Sequence, residues 1–188
     1  MERLDLTGSP LKKALVWGVM WMVTLMITVP RIFERVHAGI RAKLAEGSAI
    51  ARWLFNFAVD VGYQRFEYQQ GRAGWSLKLL LWPMLKSLVA DKVLDKLGGR
   101  LRFVISGGAA LSADVSRIFI GLGLPILQGY GMTESSPVVS VNRPEDNVPA
   151  SIGTTLPGIE VKLGENDALL IRGPNVMLGY WNNQEATQ

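Results

Sequence analysis

The chain has 188 residues, 48% hydrophobic and 19% charged, which suits a folded protein of one or two domains and excludes a disordered polyelectrolyte. Cysteine is absent, so disulfides and thiolate metal sites are excluded, and with His37 the only histidine a metal site would rest on carboxylate and phosphate oxygens, which suits magnesium better than zinc. The net charge of +4 favours anionic partners such as nucleotides or phospholipid surfaces, while the scattering of Lys12, Lys13, Arg41, Lys43, Arg100 and Arg102 without interleaved aromatics argues against nucleic acid.

Ala14 to Val29 is an uncharged apolar run between Lys12-Lys13 and Arg31. It is shorter than the roughly 20 residues of a bilayer-crossing helix, and no small-residue cleavage site follows it. Its end, Thr24 to Val29, is β-branched-rich, so the run reads as core helix and buried strand, with membrane contact as the alternative. Arg31 to Ala45 places Ile32, Val36, Ile40 and Leu44 on one face of an amphipathic helix, with His37 on its flank as a surface or packed side chain. Residues 46–100 are mostly helical in pattern, with a loop at Gly71 to Gly74. Leu77, Leu80, Leu81, Met84, Leu85, Leu88 and Val89 form a wide apolar face interrupted by Pro83, which should kink or break the helix. Trp53, Phe55, Phe57, Trp75 and Trp82 read as core, as a lipid-facing patch or as the lining of an acyl pocket.

After Gly98-Gly99 the pattern changes. Leu101, Phe103 and Ile105 alternate as in a strand, Ser112 is a plausible N-cap, and Val115, Ile118, Phe119 and Leu122 recur at helical intervals until Gly123 stops the helix. Leu124 to Leu127 is a second strand, and a crossover of this length makes the two strands parallel. Two glycine-rich loops, Ser106-Gly107-Gly108-Ala109 and Gln128-Gly129-Tyr130-Gly131-Met132-Thr133-Glu134, then leave the carboxyl ends of neighbouring parallel strands and should face one crevice. Further on, Ser151-Ile152-Gly153 and Leu156-Pro157-Gly158 read as a turn into a β-rich subdomain. Its hairpin strands are Ile159 to Leu163 and Ala168 to Ile171, joined by a turn at Gly164 to Asp167.

Each residue type in the two loops offers something to a nucleotide. Without a Cβ at Gly107 and Gly108, and with only a methyl at Ala109, the backbone can approach a flat ligand edge. Tyr130 offers a stacking face between two turn-permissive glycines. Thr133 supplies a hydroxyl for a phosphate oxygen, and Glu134 a hard oxygen for Mg²⁺. The bland alternative is a Gly-rich βα turn in which Thr133 or Ser135 caps a helix started by Pro137.

Gly129-Tyr130-Gly131-Met132-Thr133-Glu134, Ser106 to Leu111, and Val29-Pro30-Arg31-Ile32-Phe33-Glu34 together resemble the AMP-forming adenylating enzymes, specifically long-chain acyl-CoA synthetases. Leu170-Ile171-Arg172-Gly173-Pro174-Asn175-Val176-Met177-Leu178-Gly179-Tyr180-Trp181 is similar to the strand-and-turn segment that precedes that family's ribose-binding aspartate. The resemblance implies a ligase that activates a fatty acid with ATP to an acyl-adenylate and passes it to coenzyme A. It implies an α/β fold: residues 24–150 as the parallel βαβ portion of the adenylate-binding domain with a helical insert at 34–100, residues 151–188 as the start of the β-rich subdomain, and residues 1–23 unmatched. It also implies cofactor contacts at Ser106, Gly107, Gly108, Ala109, Gln128, Gly129, Tyr130, Gly131, Met132 and Thr133. Gly107 to Ala109 would border adenine and Tyr130 stack on it, Gly129 and Gly131 would lie near the acyl carboxylate, and Thr133 and Glu134 would be catalytic, with Glu134 on Mg²⁺. The family's Ser/Thr/Gly-rich loop ending in Pro-Lys-Gly, its Thr-Gly-Asp motif and its carboxyl-terminal lysine have no counterpart here. The expectation is therefore the middle of such an enzyme: inactive as an isolated chain, cytoplasmic or peripheral at the inner membrane face, and inclined to self-associate through uncovered apolar surface. The alternatives are a non-catalytic truncated nucleotide-binding module and a membrane-associated structural protein.

Overall fold

A computed structural model describes residues 25–187; residues 1–24 and Gln188, and with them most of the apolar run from Ala14 and the unmatched segment 1–23, lie outside. The chain forms a mixed α/β structure around a five-stranded sheet of order β1-β2-β3-β4-β5. Its strands are β1 (Leu25–Thr28), β2 (Phe103–Ser106), β3 (Ile126–Gly131), β4 (Val138–Val141) and β5 (Thr154–Thr155). The first three run parallel, with Met26 opposite Val104 and Val104 opposite Ile126, and β4 and β5 return antiparallel. A separate antiparallel hairpin pairs β6 (Glu160–Leu163) with β7 (Leu169–Arg172) around a turn at Glu165–Asp167, within a residue or two of the expected bounds.

Helix α1 (Pro30–Glu46) follows β1 directly, with proline in its first turn, where its missing N–H costs no hydrogen bond. Its anchor is Phe33, fully buried, whose ring meets Phe119 edge-on at 4.9 Å. The expected stripe is corrected in one place: Val36, Ile40 and Leu44 pack inward, but Ile32 is exposed because Phe33 takes the inward direction. Phe33, Val104, Leu111, Val115, Phe119, Leu124 and Ile126 form the core between the sheet and its helices. Strand β1 is not the buried strand the sequence implies: at the sheet's edge only its Met26 side meets the helices, and Ile27 is 76% exposed.

Helix α2 (Ala49–Gln69) starts at Ser48, whose hydroxyl accepts from Ala51 N. It lies against α5 (Ala113–Gly121), and the two backbones approach closely at Gly62 and Gly121. Between α2 and β2 the chain is helical but irregular: a 3-10 turn Leu77–Leu81, α3 (Trp82–Leu85) with Pro83 in its first turn, a π turn Lys86–Ala90, α4 (Asp91–Leu94) and a second 3-10 turn Asp95–Leu97. These changes of pitch rotate the apolar face expected for this region. Trp82, Leu85 and Ala90 turn into a second core with Phe55, Ala58, Val59 and Val61, while Leu77, Leu80, Leu81, Met84 and Leu88 are left exposed. Phe55 and Trp82 are thus core, whereas Trp53 and Trp75 are exposed, with Trp53 stacked on the ring of Phe57. No helix among the described residues is long and apolar enough to cross a membrane.

The crossover α5 forms as its sequence dictates. The Ser112 hydroxyl accepts from Val115 N, Val115 and Phe119 are buried, and the chain leaves the helix through Gly123 N to Ile120 O and Leu124 N to Phe119 O. Strand β3 differs from expectation: it begins at Ile126 and continues through Gly131, so Gln128 to Gly131 is strand rather than loop. No helix follows Pro137. A 3-10 turn, Thr133–Ser135, and Ser136 in the left-handed region send the chain back as β4. The register between β3 and β4 slips at Tyr130 and Gly131, and a Cβ on Gly131 would stand 1.7 Å from the Pro137 carbonyl oxygen, so only glycine fits.

Candidate functional site

Strands β1 and β2 end level, and β3 runs on beyond them to Gly131. Thr28 is the register partner of Ser106, and Ser106 of Gln128. Gly107 N donates to Thr28 O at 3.1 Å, and a Cβ on Gly107 would lie 3.6 Å from Gly129 O, so the two glycine-bearing segments are immediate neighbours. They meet at a cleft of about 650 Å³ whose near wall is Gly108, Ala109, Gly129, Tyr130 and Gly131. Here the strand-end crevice of an open α/β sheet combines accessible backbone with an aromatic face.

The remaining expected residues fall beside this wall. Ser106 is buried at the end of β2, and its hydroxyl has no hydrogen-bond partner among the described residues. Gln128 borders the cleft, but its amide is already engaged: Oε1 accepts from Leu111 N at 3.0 Å, and Nε2 donates to Pro149 O. It ties the loop after β2 to the segment that forms the opposite rim. Met132 and Thr133 are exposed, and with Glu134 they lie on the turn beyond the cleft lining. The Tyr180 hydroxyl donates to Glu134 Oε1, which holds the Glu134 carboxyl below its ordinary value and raises the Tyr180 phenol above its own. Among the described residues no group of three or more His, Asp or Glu could hold a metal. Glu134 alone fits only a cation that takes its other ligands from phosphate and water.

The far wall was not legible in the sequence. Tyr63 and Glu67, one helical turn apart on α2, face the cleft with Arg72 and Arg117. Arg72 forks onto Glu67, its Nε at 2.8 Å from Oε2 and its Nη2 at 3.2 Å from Oε1, and this hydrogen bonding depresses the Glu67 pKa. Burial and the Glu67 charge push the Tyr63 phenol up. Arg117 lies 4.6 Å over the Tyr63 ring and pairs with Asp60 at 2.9 Å. Arg72 Nη2 also donates to Asn147 O at 2.9 Å, and Gln70 Oε1 accepts from Asn147 N at 2.8 Å. The end of α2 thereby holds the segment leading into Val148–Ile152, the cleft's rim. The spacing of Tyr63 and Glu67 was visible in the sequence, but nothing local connected them to loops more than forty residues on. His37 stands apart from the cleft: its Nε2 accepts from Arg41 Nε at 3.0 Å, and burial followed by the Arg41 charge lowers its pKa.

Residues 8–181 match the AMP-binding enzyme family, a match that begins inside the stretch 1–23. A long chain acyl-CoA synthetase 8 of Arabidopsis thaliana is 35% identical over 181 residues, covering 87% of this chain and 24% of the relative. The long-chain-fatty-acid–CoA ligase FadD15 of Mycobacterium bovis is 31% identical over 180 residues, covering 95% of this chain and 30% of the relative. A solved malonyl-CoA ligase, a ternary product complex with methylmalonyl-CoA and AMP bound, matches at 22% identity over 96% of this chain and 30% of that one, with a TM-score of 0.48. The chain therefore spans less than a third of the length of these relatives. With a family match running over most of its residues, the chain belongs to the AMP-binding enzyme family.

Proposed function

We propose that this chain carries the adenine- and phosphate-facing part of the adenylation site of a long-chain fatty acid–CoA ligase. In the whole enzyme a fatty acid carboxylate would attack the α-phosphate of ATP, releasing pyrophosphate, and the thiol of coenzyme A would then take the acyl group from the adenylate. The observation that carries the reading is the convergence of Gly108, Ala109 and Tyr130 on one cleft at the carboxyl ends of parallel strands. The names of the curated relatives support the fatty acid as substrate.

In this reading the backbone of Gly107 to Ala109 borders the adenine edge and Tyr130 stacks on its face. Thr133 would offer its hydroxyl to phosphate, and Glu134 would be the residue that holds magnesium. Bound magnesium would supply charge neutralisation; the chain's own part is orientation and exclusion of alternative poses. Gln128 acts through structure, setting the distance between the two rims of the cleft. A single preorganised contact to developing charge is worth about 3–4 kcal/mol, so a chain without the family's lysine motifs should make little or no acyl-CoA.

Calorimetry with ATP–Mg²⁺ and AMP tests the reading. Binding that weakens in Tyr130→Ala supports it, and unchanged affinity in that variant would contradict it. Acyl-CoA formation by the isolated 188-residue chain would overturn the expectation of inactivity. The exposed stripe Leu77, Leu80, Met84 and Leu88 supports a second, compatible property, peripheral contact with a lipid surface, which a liposome flotation assay would detect.

A further inference from the structure

The segment after β7 reaches back to the turn that follows β3. Met177 N donates to Glu134 O at 2.8 Å. Asn175 Nδ2 donates to Ser135 O at 2.8 Å and to Val138 O at 3.1 Å, spanning the point where the chain reverses into β4. The Tyr180 hydroxyl donates to Glu134 Oε1. The backbone at Tyr180 is tied locally, since its N–H donates to the Thr187 hydroxyl, which donates to Asn183 O. Within the turn, the Ser135 hydroxyl accepts from Met132 N, and Thr133 O accepts from Ser136 N. The turn's own bonds set its curvature. Those from Asn175, Met177 and Tyr180 set where it stands and where the Glu134 carboxylate points.

We infer that Asn175 and Tyr180 are positioning residues for the Thr133–Glu134 turn, so that the chain's hold on the phosphates of a nucleotide depends on a segment some forty residues away. The inference rests on the nucleotide reading above and deepens it. Neither side chain borders the cleft wall formed by Gly108, Ala109 and Tyr130. Asn175 and Tyr180 should therefore affect the phosphate end of a ligand and leave its base end alone. A residue that merely supported the fold would weaken both ends together.

The test measures adenosine and ATP–Mg²⁺ affinity on the same preparations of the full chain, its Asn175→Ala variant and its Tyr180→Phe variant. Each variant should bind ATP–Mg²⁺ about fivefold more weakly, the scale of losing one hydrogen bond to a charged or partly buried acceptor, while adenosine affinity stays within error. Tyr180→Phe keeps the ring and removes only the hydroxyl, so it remains informative if Asn175→Ala does not fold. Equal losses for both ligands, or no loss for either, in Tyr180→Phe would overturn the inference while the nucleotide reading stands. A wild-type chain that binds neither ligand would overturn both.

Discussion

A Cβ added to Gly62 would stand 1.8 Å from the Gly121 carbonyl oxygen, and one added to Gly121 would stand 2.5 Å from the Val59 carbonyl oxygen. Helices α2 and α5 thus touch backbone to backbone, which brings Tyr63 and Arg117 onto the same cleft. Gly62→Ala should force the helices apart and destabilise the chain by at least about 2 kcal/mol, read as a lowered urea midpoint. A variant with the wild-type midpoint would show that the helices are not in this contact.

Gln128 joins the two rims through Leu111 N and Pro149 O. Gln128→Leu keeps most of the volume but leaves a buried N–H and a carbonyl unpaired. It should cost about 1–3 kcal/mol in denaturant unfolding and weaken AMP binding by loosening the cleft. Unaltered stability would mean that the amide's partners are solvent.

Glu67 titrates below its ordinary value of 4.5 because Arg72 hydrogen-bonds its carboxylate. A depressed carboxyl stabilises the fold above the unfolded value, and that contribution disappears as pH falls through the lower folded value. Wild-type stability should therefore drop as pH falls below 4.5. Arg72→Met should flatten that part of the profile. The pair is partly exposed, so the difference should stay below about 1 kcal/mol. Parallel acid profiles for the two proteins would rule the pair out as a contributor.

The apolar stripe Leu77, Leu80, Met84 and Leu88, the Trp75 ring beside it and the exposed Ile27 of edge strand β1 leave hydrophobic surface open to water. Concentration-dependent self-association is expected on light scattering. Leu77→Lys with Leu80→Lys should reduce it without lowering the unfolding temperature, because neither leucine is in a core cluster. Undiminished association in the double variant would assign the contact to another surface, the β1 edge first.

How far the sequence reaches depends on whether a signal is local. The crossover from β2 through α5 to β3 was readable because the Ser112 cap, the Val115–Phe119 spacing and the Gly123 exit act within a few residues. The β6–β7 hairpin was readable for the same reason. The return of β4 was not: Pro137 suits a helix start as well as a reversal, and the choice was made by pairing Tyr130 with Ser140 across the sheet. The stripe at Leu77 to Val89 signals an interruption only at Pro83, whereas the successive 3-10 and π turns there shift the inward direction to Trp82, Leu85 and Ala90. In the site, Gly108, Ala109 and Tyr130 were legible as backbone access and a stacking face. The far wall of Tyr63, Glu67, Arg72 and Arg117 was not, because it is assembled by packing of α2 on α5 and by the Arg72 bonds to Glu67 and Asn147 O.

The central claim, that the two glycine-bearing segments share one adenine-binding cleft, is tested most directly by following backbone amide signals of the labelled chain as AMP is added. Saturable shifts confined to Gly107, Gly108, Ala109, Gly129, Tyr130, Gly131 and the facing residues of the cleft are the predicted result. Shifts at only one of the two segments, shifts centred elsewhere, or none at saturating AMP would contradict it.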